Sequence, residues 1–204
     1  MDLVLQLDWL QVYDNVLSEN YCNEIISKTT NNLSRQRLHP TGDYDMKAEG
    51  YRTSNQYFIP FNHDLDKKIN ECANKLTKIN IDNFEQTSII RYQKGQEYKP
   101  HYDHYDPKDE PTKQITEHWG NRIATALFFL NGDFEGGETV FPYLENMMIK
   151  PKTGRCIIWL NLLKSNCFGN EITNRNERSL HGGLPIINGE KFITTKWIRE
   201  NKVK

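Results

Sequence analysis

The segment 101–106, HYDHYD, contains the pattern His-x-Asp twice. In a β-strand, residues two apart project to the same face, so one short strand can present an imidazole and a carboxylate to a single metal ion. The first copy, His101 and Asp103, follows residues that favour a strand, whereas the second runs into Pro107, where a strand is expected to end. The pattern therefore favours His101 and Asp103 as a ligand pair and predicts that His104 faces away from them.

A third ligand from elsewhere in the chain would complete a metal site. Two histidines and one carboxylate form a facial triad that leaves coordination positions open, which is typical of non-haem Fe(II) oxygenases. His181 is the favoured third ligand, because the two glycines that follow it allow close backbone approach. His118 is the competing candidate, since it lies in a charged segment near the first pair, and His39 and His63 are interpreted as surface residues.

Lys191 opens a segment in which Lys191, Ile193, Thr195 and Trp197 would share one face of a strand. Ile193 and Trp197 are natural core residues, so the lysine is expected to point inward, where it needs an anion. A dicarboxylate co-substrate would supply that anion; the alternative is a lysine at the frayed start of the strand. The hydroxyl of Thr139, which ends the segment GGET, could bind the same carboxylate, or the segment could simply be a tight turn before a strand.

Charge and composition disfavour several classes of protein. The 204 residues include 26 basic and 27 acidic side chains, so the basic surplus of a nucleic-acid-binding domain is absent. No apolar run approaches 18 residues, which predicts no membrane span. The N-terminus has acidic residues where a signal peptide has basic ones, and none of the four cysteines forms a CxxC pair. We therefore expect a cytoplasmic protein with free thiols.

The apolar periodicity predicts one domain over residues 1–204, with a helical support region at 1–83 and a jelly roll at 84–202. Helices are expected at 18–30 and 62–79, and short strands follow, among them 122–130 and 155–160. Asn188-Gly189 predicts a hairpin between 184–187 and 190–199. This order indicates an α+β, mainly β fold in which N-terminal helices pack on a double-stranded β-helix, or jelly roll.

Four segments together resemble the prolyl 4-hydroxylase family of 2-oxoglutarate- and Fe(II)-dependent dioxygenases. They read RYQKGQEYKPHYD, NRIATALFFLNGDFEGGETVFP, IIWLN and LHGGLPIINGEKFITTKWIRE, and they keep the family's order across 84–199. The chain departs from many members by having Leu184, rather than cysteine, before the proline that follows the distal histidine. The resemblance implies that the metal ligands are His101, Asp103 and His181, that Lys191 binds the distal carboxylate of 2-oxoglutarate, that Tyr92 and Thr139 line its pocket, and that Arg122 and Trp197 lie near the substrate.

The resemblance also implies a reaction. Fe(II), 2-oxoglutarate and O2 would hydroxylate a peptidyl-proline to 4-hydroxyproline, with release of succinate and CO2 and with ascorbate as reductant. The substrate would be a proline-containing peptide or protein, and the segments 104–120 and 164–176 are candidate lids, because loops on such scaffolds carry specificity. A solvated surface excursion is the alternative for 104–120.

Three other functions are open from the sequence. The same chemistry could act on a free amino acid or small molecule, which a closed pocket rather than an aromatic groove would favour. A non-catalytic metal-binding jelly roll would lack a ligand or the lysine, yet all four positions are filled. Nucleic-acid demethylation would require a more basic surface.

Overall fold

In the part of the chain that the structure describes, three α-helices lie between β-strands. The computed structural model describes residues 1–35, 50–106, 110–163 and 174–204. The helices are α1 (Glu19–Thr29), α2 (Asp64–Thr77) and α3 (Glu110–Trp119). Ser18 caps α1 by accepting a hydrogen bond from the Tyr21 amide, and α2 ends where Lys78 adopts a left-handed conformation. None of the helices in these ranges has the length and apolar character needed to cross a membrane.

Sixteen β-strands, most of them short, occur in the described ranges. They are β1 (Asp2–Gln6), β2 (Leu10–Asp14), β3 (Ser34–Arg35), β4 (Asn55–Phe58), β5 (Ser88–Tyr92), β6 (Tyr98–His101), β7 (Arg122–Phe129), β8 (Glu135–Gly136), β9 (Thr139–Phe141), β10 (Met147–Ile149), β11 (Cys156–Leu160), β12 (Leu162–Leu163), β13 (Asn174–Arg175), β14 (His181–Gly183), β15 (Ile186–Asn188) and β16 (Lys191–Arg199).

Two antiparallel sheets dominate the fold. The larger has eight strands in the order β1-β2-β11-β7-β16-β5-β4-β3, and the smaller has four in the order β10-β9-β14-β6. Two further antiparallel pairs, β12-β13 and β15-β8, form separate two-stranded sheets. Strands that are distant in sequence lie side by side in both sheets. This arrangement confirms the predicted α+β, mainly β class with a jelly roll.

The larger sheet is covered on both faces. On one face the helices bury an apolar stripe that includes Ile25 of α1 and Ile69 of α2. On the other face a second core lies between the sheets and contains Phe129, Trp159 and Ile193. All nine residues of β16 are buried, because this central strand packs against helices with one set of side chains and against the smaller sheet with the other.

Two expectations are corrected by the structure. The segment 104–120, predicted to be irregular, contains α3. The hairpin predicted around Asn188-Gly189 is absent from the described strands, because β15 pairs with β8 while β16 pairs with β5 and β7. A type I′ turn needs positive φ at both central residues, and only Gly189 has it, at +83°. The support region at 1–83 contributes β1 to β4 to the larger sheet in addition to α1 and α2.

The lid predicted at 164–176 falls outside the described residues except for its last three. Cys167 and His39 also fall outside them. Cys22, Cys72 and Cys156 are buried free thiols, as expected. Burial raises the pKa of each, which keeps them protonated and unreactive.

A buried ion pair joins α2 to the larger sheet. The Lys196 ammonium lies 2.9 Å from an Asp66 carboxylate oxygen and also donates to the backbone carbonyl of Glu85. Thr87 and Asn70 donate further hydrogen bonds to the same carboxylate. Burial lowers the pKa of Lys196 to about 8, although Asp66 opposes the shift. The pair is therefore held by hydrogen bonds that occupy both partners.

We expect Lys196→Met to lower the free energy of unfolding by about 3–5 kcal/mol, because it leaves the Asp66 carboxylate buried without a counter-charge. Urea titration at pH 7 measures this change. Lys67→Ala is the matched control, since Lys67 on the same helix pairs with Asp64 in full contact with solvent. Equal effects of the two substitutions would show that the buried pair is not a stability determinant.

Candidate metal and co-substrate site

The two histidines of the predicted triad face each other across neighbouring strands. His101 is the last residue of β6 and His181 the first of β14, and the two are direct cross-strand partners. Asp103 does not lie on the strand as predicted, because β6 ends at His101 and a bend follows. The bend nevertheless brings Asp103 back to the imidazoles. The two residues of the His-x-Asp pattern therefore come together because the chain bends after the strand, and not because they alternate along one strand.

The three side chains form a compact group. The Nε2 atoms of His101 and His181 each lie 3.7 Å from an Asp103 carboxylate oxygen, and the two rings are 4.3 Å apart between centroids. One ligand atom from each residue lies within 4.8 Å of the others. His181 and Asp103 are buried, and His101 is half-buried. This spacing suits three donors arranged around one ion.

Hydrogen bonds orient the donors toward one point. His101 Nδ1 lies 2.9 Å from the Lys99 carbonyl, and His181 Nδ1 lies 2.8 Å from the Ser179 carbonyl. A carbonyl only accepts, so each Nδ1 carries the proton and each Nε2 has a free lone pair. This outer-shell pattern is the one that fixes the tautomer of metal-binding histidines.

The carboxylate is held from behind by a hydrogen-bonded chain. Thr125 Oγ1 donates to Asp103 Oδ2 at 2.7 Å, and Asn161 in turn donates to Thr125 Oγ1 at 3.0 Å. Thr125 and Asn161 are fully buried, so neither bond is exposed to competing water. The chain fixes the orientation of the Asp103 carboxylate, whose Oδ1 lies near His101 and whose Oδ2 lies near His181.

The protonation states suit a cation. Burial lowers the pKa of His101 well below its usual value, which keeps the ring neutral. Burial alone would raise the pKa of Asp103, but the nearby His181, His101 and Arg122 and the Thr125 hydrogen bond lower it to about 2. A neutral imidazole and an ionised carboxylate are the forms that bind metal. The donor set therefore fits a divalent transition metal such as Fe(II).

The other described histidines lie away from this group. His104 Nδ1 is 3.3 Å from the Tyr105 carbonyl, and its ring lies beside Tyr102. His118, the competing candidate, is exposed on α3. His63 caps α2 by accepting a hydrogen bond from the Leu65 amide. The described geometry thus selects the first His-x-Asp copy.

Lys191 lies at the far end of a pocket that begins at the triad. Its ammonium donates to the Gly137 carbonyl at 2.6 Å, and the side chain is only 2% exposed. Burial lowers the pKa of Lys191 to about 7, while Glu138 opposes the shift. A Cβ on Gly137 would lie 3.2 Å from the lysine side chain, and its φ is +69°, so glycine is required here. The frayed-strand alternative is excluded by this burial.

Both predicted co-substrate residues line the same pocket as Lys191. Tyr92 is the direct cross-strand partner of Lys191, and its ring centroid lies 5.5 Å from Nζ. Thr139 is 2% exposed and lines the pocket from β9 of the smaller sheet. The pocket therefore runs between the two sheets from an acidic, imidazole-bearing end to a basic end.

The two predicted substrate residues occupy different positions. Trp197 lines the pocket. Arg122 is not among the residues that line it; its guanidinium stacks 3.9 Å from the Trp197 ring centroid and binds both carboxylate oxygens of Glu85 at 2.8 Å. Arg122 also stacks on Tyr105 at 4.8 Å. The arginine therefore supports the wall that Trp197 forms.

Several residues that line the pocket were not predicted as site residues. Tyr98 stacks on the His101 ring with centroids 3.5 Å apart, and Arg52 lies 4.5 Å above the Tyr98 ring. Thr195 lines the floor between Lys191 and Trp197. The strand alternation noted in the sequence already placed Thr195 on this face, whereas nothing local to Arg52 indicated its position.

Comparisons with known proteins agree with this geometry. The profile of the 2OG-Fe(II) oxygenase superfamily matches residues 87–199, which is more than half of the chain. A putative prolyl 4-hydroxylase of Acanthamoeba polyphaga mimivirus is 31% identical over 94% of this chain and 74% of its own length. Prolyl 4-hydroxylase 5 of Arabidopsis thaliana is 29% identical over 95% of this chain and 69% of its own length.

A solved structure extends the similarity to the fold. The viral collagen prolyl hydroxylase of Paramecium bursaria Chlorella virus-1, in its 2-oxoglutarate complex, has a TM-score of 0.70 and 28% identity, covering 94% of this chain and 96% of that one. The similarity thus includes both sheets and the N-terminal helices. The chain belongs to the prolyl 4-hydroxylase family of 2-oxoglutarate- and Fe(II)-dependent dioxygenases.

Proposed function

We propose that this dioxygenase hydroxylates peptidyl-proline to 4-hydroxyproline, with release of succinate and CO2. The observation that carries the proposal is one pocket with a buried His-Asp-His cluster at one end and a buried lysine at the other. The names of the relatives, prolyl 4-hydroxylases and a collagen prolyl hydroxylase, support proline in a peptide as the substrate.

Each end of the pocket has a distinct task in this proposal. His101, Asp103 and His181 would hold Fe(II), leaving open positions for the 2-oxo acid and O2. Lys191 would bind the distal carboxylate of 2-oxoglutarate, with Thr139 beside it. When bound, the iron supplies oxidative decarboxylation of 2-oxoglutarate and oxidation of a substrate C–H bond. The protein's own residues orient these groups and exclude water between the two sheets.

The substrate side is proposed to lie at the aromatic end of the pocket. Trp197 offers an apolar wall there, and Arg122 keeps its plane fixed through stacking and the Glu85 ion pair. A planar, apolar wall suits the ring of a proline residue. Ascorbate is proposed as the reductant that restores Fe(II) after turnover without substrate.

Succinate release tests the proposed function. Purified protein is incubated with Fe(II), ascorbate and 2-oxoglutarate, with and without a pool of proline-rich peptides, and the peptides are then analysed by mass spectrometry. We expect peptide-stimulated succinate and a one-oxygen mass gain on proline. Succinate without a modified peptide would redirect the substrate to a free amino acid or small molecule. Absence of succinate with metal bound would favour a non-catalytic metal-binding domain.

The pKa of Lys191 predicts how 2-oxoglutarate binding depends on pH. The carboxylate requires the charged lysine, and burial lowers the pKa of Lys191 to about 7. Below that pH the lysine is already protonated, so affinity is flat; above it, binding must take up a proton. The dissociation constant of 2-oxoglutarate for metal-saturated protein should therefore rise by about tenfold per pH unit between roughly pH 7.5 and 9.

Calorimetric titration over this pH range measures the effect, and proton uptake follows from repeating it in buffers of different ionisation enthalpy. Lys191→Met serves as the control, because it should remove this alkaline limb. A dissociation constant that stays constant from pH 7 to 9 in the natural protein would contradict the prediction.

A further inference from the structure

The Thr195 hydroxyl is buried in the pocket and makes no hydrogen bond within the described part of the structure. The residue is 5% exposed and lines the cavity. Its Oγ1 has no hydrogen-bond partner among the residues that the structure describes. A buried hydroxyl left without a partner costs on the order of 1–3 kcal/mol, so its presence points to a ligand that completes it.

The pairing of the strands places this hydroxyl in a defined row of the pocket floor. Directly opposite residues of antiparallel strands point to the same face. Lys191 is paired with Tyr92, which forms a polar row. Ile193 is paired with Ile90 and Phe129, which forms an apolar row.

The next two rows return to polar groups. Thr195 is paired with Leu127 on β7, and Trp197 is paired with Thr125, whose hydroxyl holds Asp103. Thr195 therefore lies between the apolar row and the row that supports the metal-binding carboxylate. Along β16, the pocket floor therefore changes from a basic row to an apolar row, then to the Thr195 hydroxyl, and finally to the row that supports the metal-binding carboxylate.

This order matches 2-oxoglutarate placed along the floor. The molecule has a carboxylate at one end, two methylene groups, and a 2-oxo acid at the other end. With the distal carboxylate at Lys191 and the methylenes over Ile193, the 2-oxo acid lies beside Thr195 and the triad. The match rests on the co-substrate orientation assigned in the proposed function.

We propose that Thr195 Oγ1 donates a hydrogen bond to the carboxylate of the 2-oxo acid end of 2-oxoglutarate. The contact fixes the rotation of that carboxylate about its bond to the keto carbon. The 2-oxo acid then presents its keto oxygen and one carboxylate oxygen together toward the space between His101, Asp103 and His181. Thr195 is thus a co-substrate-binding residue at the end opposite to Lys191.

Thr194 provides an internal comparison for this proposal. Its hydroxyl is also buried and lacks a partner among the described residues, but it is on the opposite face of β16. That face packs against the helices rather than against the pocket. Removing the Thr194 hydroxyl and removing the Thr195 hydroxyl change the strand to the same extent, but only the removal of the Thr195 hydroxyl changes the pocket.

Calorimetric titration of 2-oxoglutarate into Mn(II)-loaded protein without peptide tests the proposal. Because hydrogen bonds to charged groups are strong, Thr195→Val should weaken 2-oxoglutarate binding by roughly tenfold or more. Thr195→Ser, which keeps the hydroxyl, should bind 2-oxoglutarate with a dissociation constant within about threefold of that of the natural protein. Thr194→Val should bind 2-oxoglutarate as tightly as the natural protein does. Thermal unfolding of all three variants verifies that they are folded.

Titration with 2-oxobutanoate, which lacks the distal carboxylate, locates the contact. We expect Thr195→Val to weaken this ligand by the same factor as 2-oxoglutarate. A loss confined to 2-oxoglutarate would place the hydroxyl at the lysine end and overturn the proposal, as would unchanged affinity for both ligands. Absence of 2-oxoglutarate binding by the natural Mn(II) protein would instead refute the proposed function itself.

Discussion

Alanine at His101, Asp103 or His181 is expected to abolish succinate formation and to weaken Mn(II) binding by more than about a hundredfold, since loss of an outer-shell partner alone typically costs 10- to 100-fold. Each residue contributes one of three donors that lie within 4.8 Å of one another. Removing a donor leaves two, and the pocket has no other described histidine or carboxylate to take its place. The three variants should therefore behave alike.

His104→Ala is the matched control for these substitutions. His104 is one residue from Asp103 and belongs to the second His-x-Asp copy, but its ring bonds to a backbone carbonyl outside the triad. Mn(II) affinity and peptide-independent succinate formation should stay within about threefold of the natural protein. Loss of metal binding in His104→Ala as large as in His101→Ala would show that the second copy supplies the ligands.

The central strands could be predicted because their amino-acid composition indicates that they are buried. Residues 122–130 and 155–160 are nearly continuous apolar runs, which suits strands covered on both faces, and the structure has β7 and β11 there. Alternation along β16 likewise indicated that Lys191 points inward. Local composition sufficed in these cases because each strand's surroundings are uniform along its length.

The prediction of a hairpin was wrong because a turn-forming sequence does not determine which strands pair with each other. The chain bends at Gly189, but β15 pairs with β8 and β16 pairs with β5 and β7, which are all far away in sequence. The helix α3 was missed for another reason. Pro111 lies in the first turn of α3, and Gly120, whose φ is +70°, follows its last residue. Proline near the start and glycine after the end are typical of a helix. The many charged residues of the segment nevertheless led to the prediction of a loop.

The site was more predictable at its metal end than at its walls. Histidine, aspartate and lysine are chemically restrictive, so few positions could supply them. Arg52 belongs to the N-terminal region and reaches the pocket through a β-bridge to Tyr98, the first residue of β6. Contacts of this kind depend on long-range packing, which no local pattern encodes.

Lys191→Met is expected to raise the 2-oxoglutarate concentration for half-maximal turnover by roughly 30-fold or more, because truncating one partner of a buried charge pair costs about 2–5 kcal/mol. Lys191 as a whole residue is only 2% exposed, so water cannot replace its ammonium as a partner for the distal carboxylate. Turnover at saturating 2-oxoglutarate should change much less, since the metal end is untouched. Steady-state kinetics in 2-oxoglutarate measures both quantities.

Folding and binding can be separated for this variant. Burial lowers the pKa of Lys191 to about 7, so the fold itself disfavours the charge, and methionine fills the same space without a charge. The stability of Lys191→Met should therefore equal or exceed that of the natural protein, and 2-oxobutanoate, which has no distal carboxylate, should bind both proteins equally. An unchanged 2-oxoglutarate requirement would place the distal carboxylate elsewhere. A requirement that rises together for both ligands would mean that the substitution distorts the metal end, because only the distal carboxylate distinguishes them.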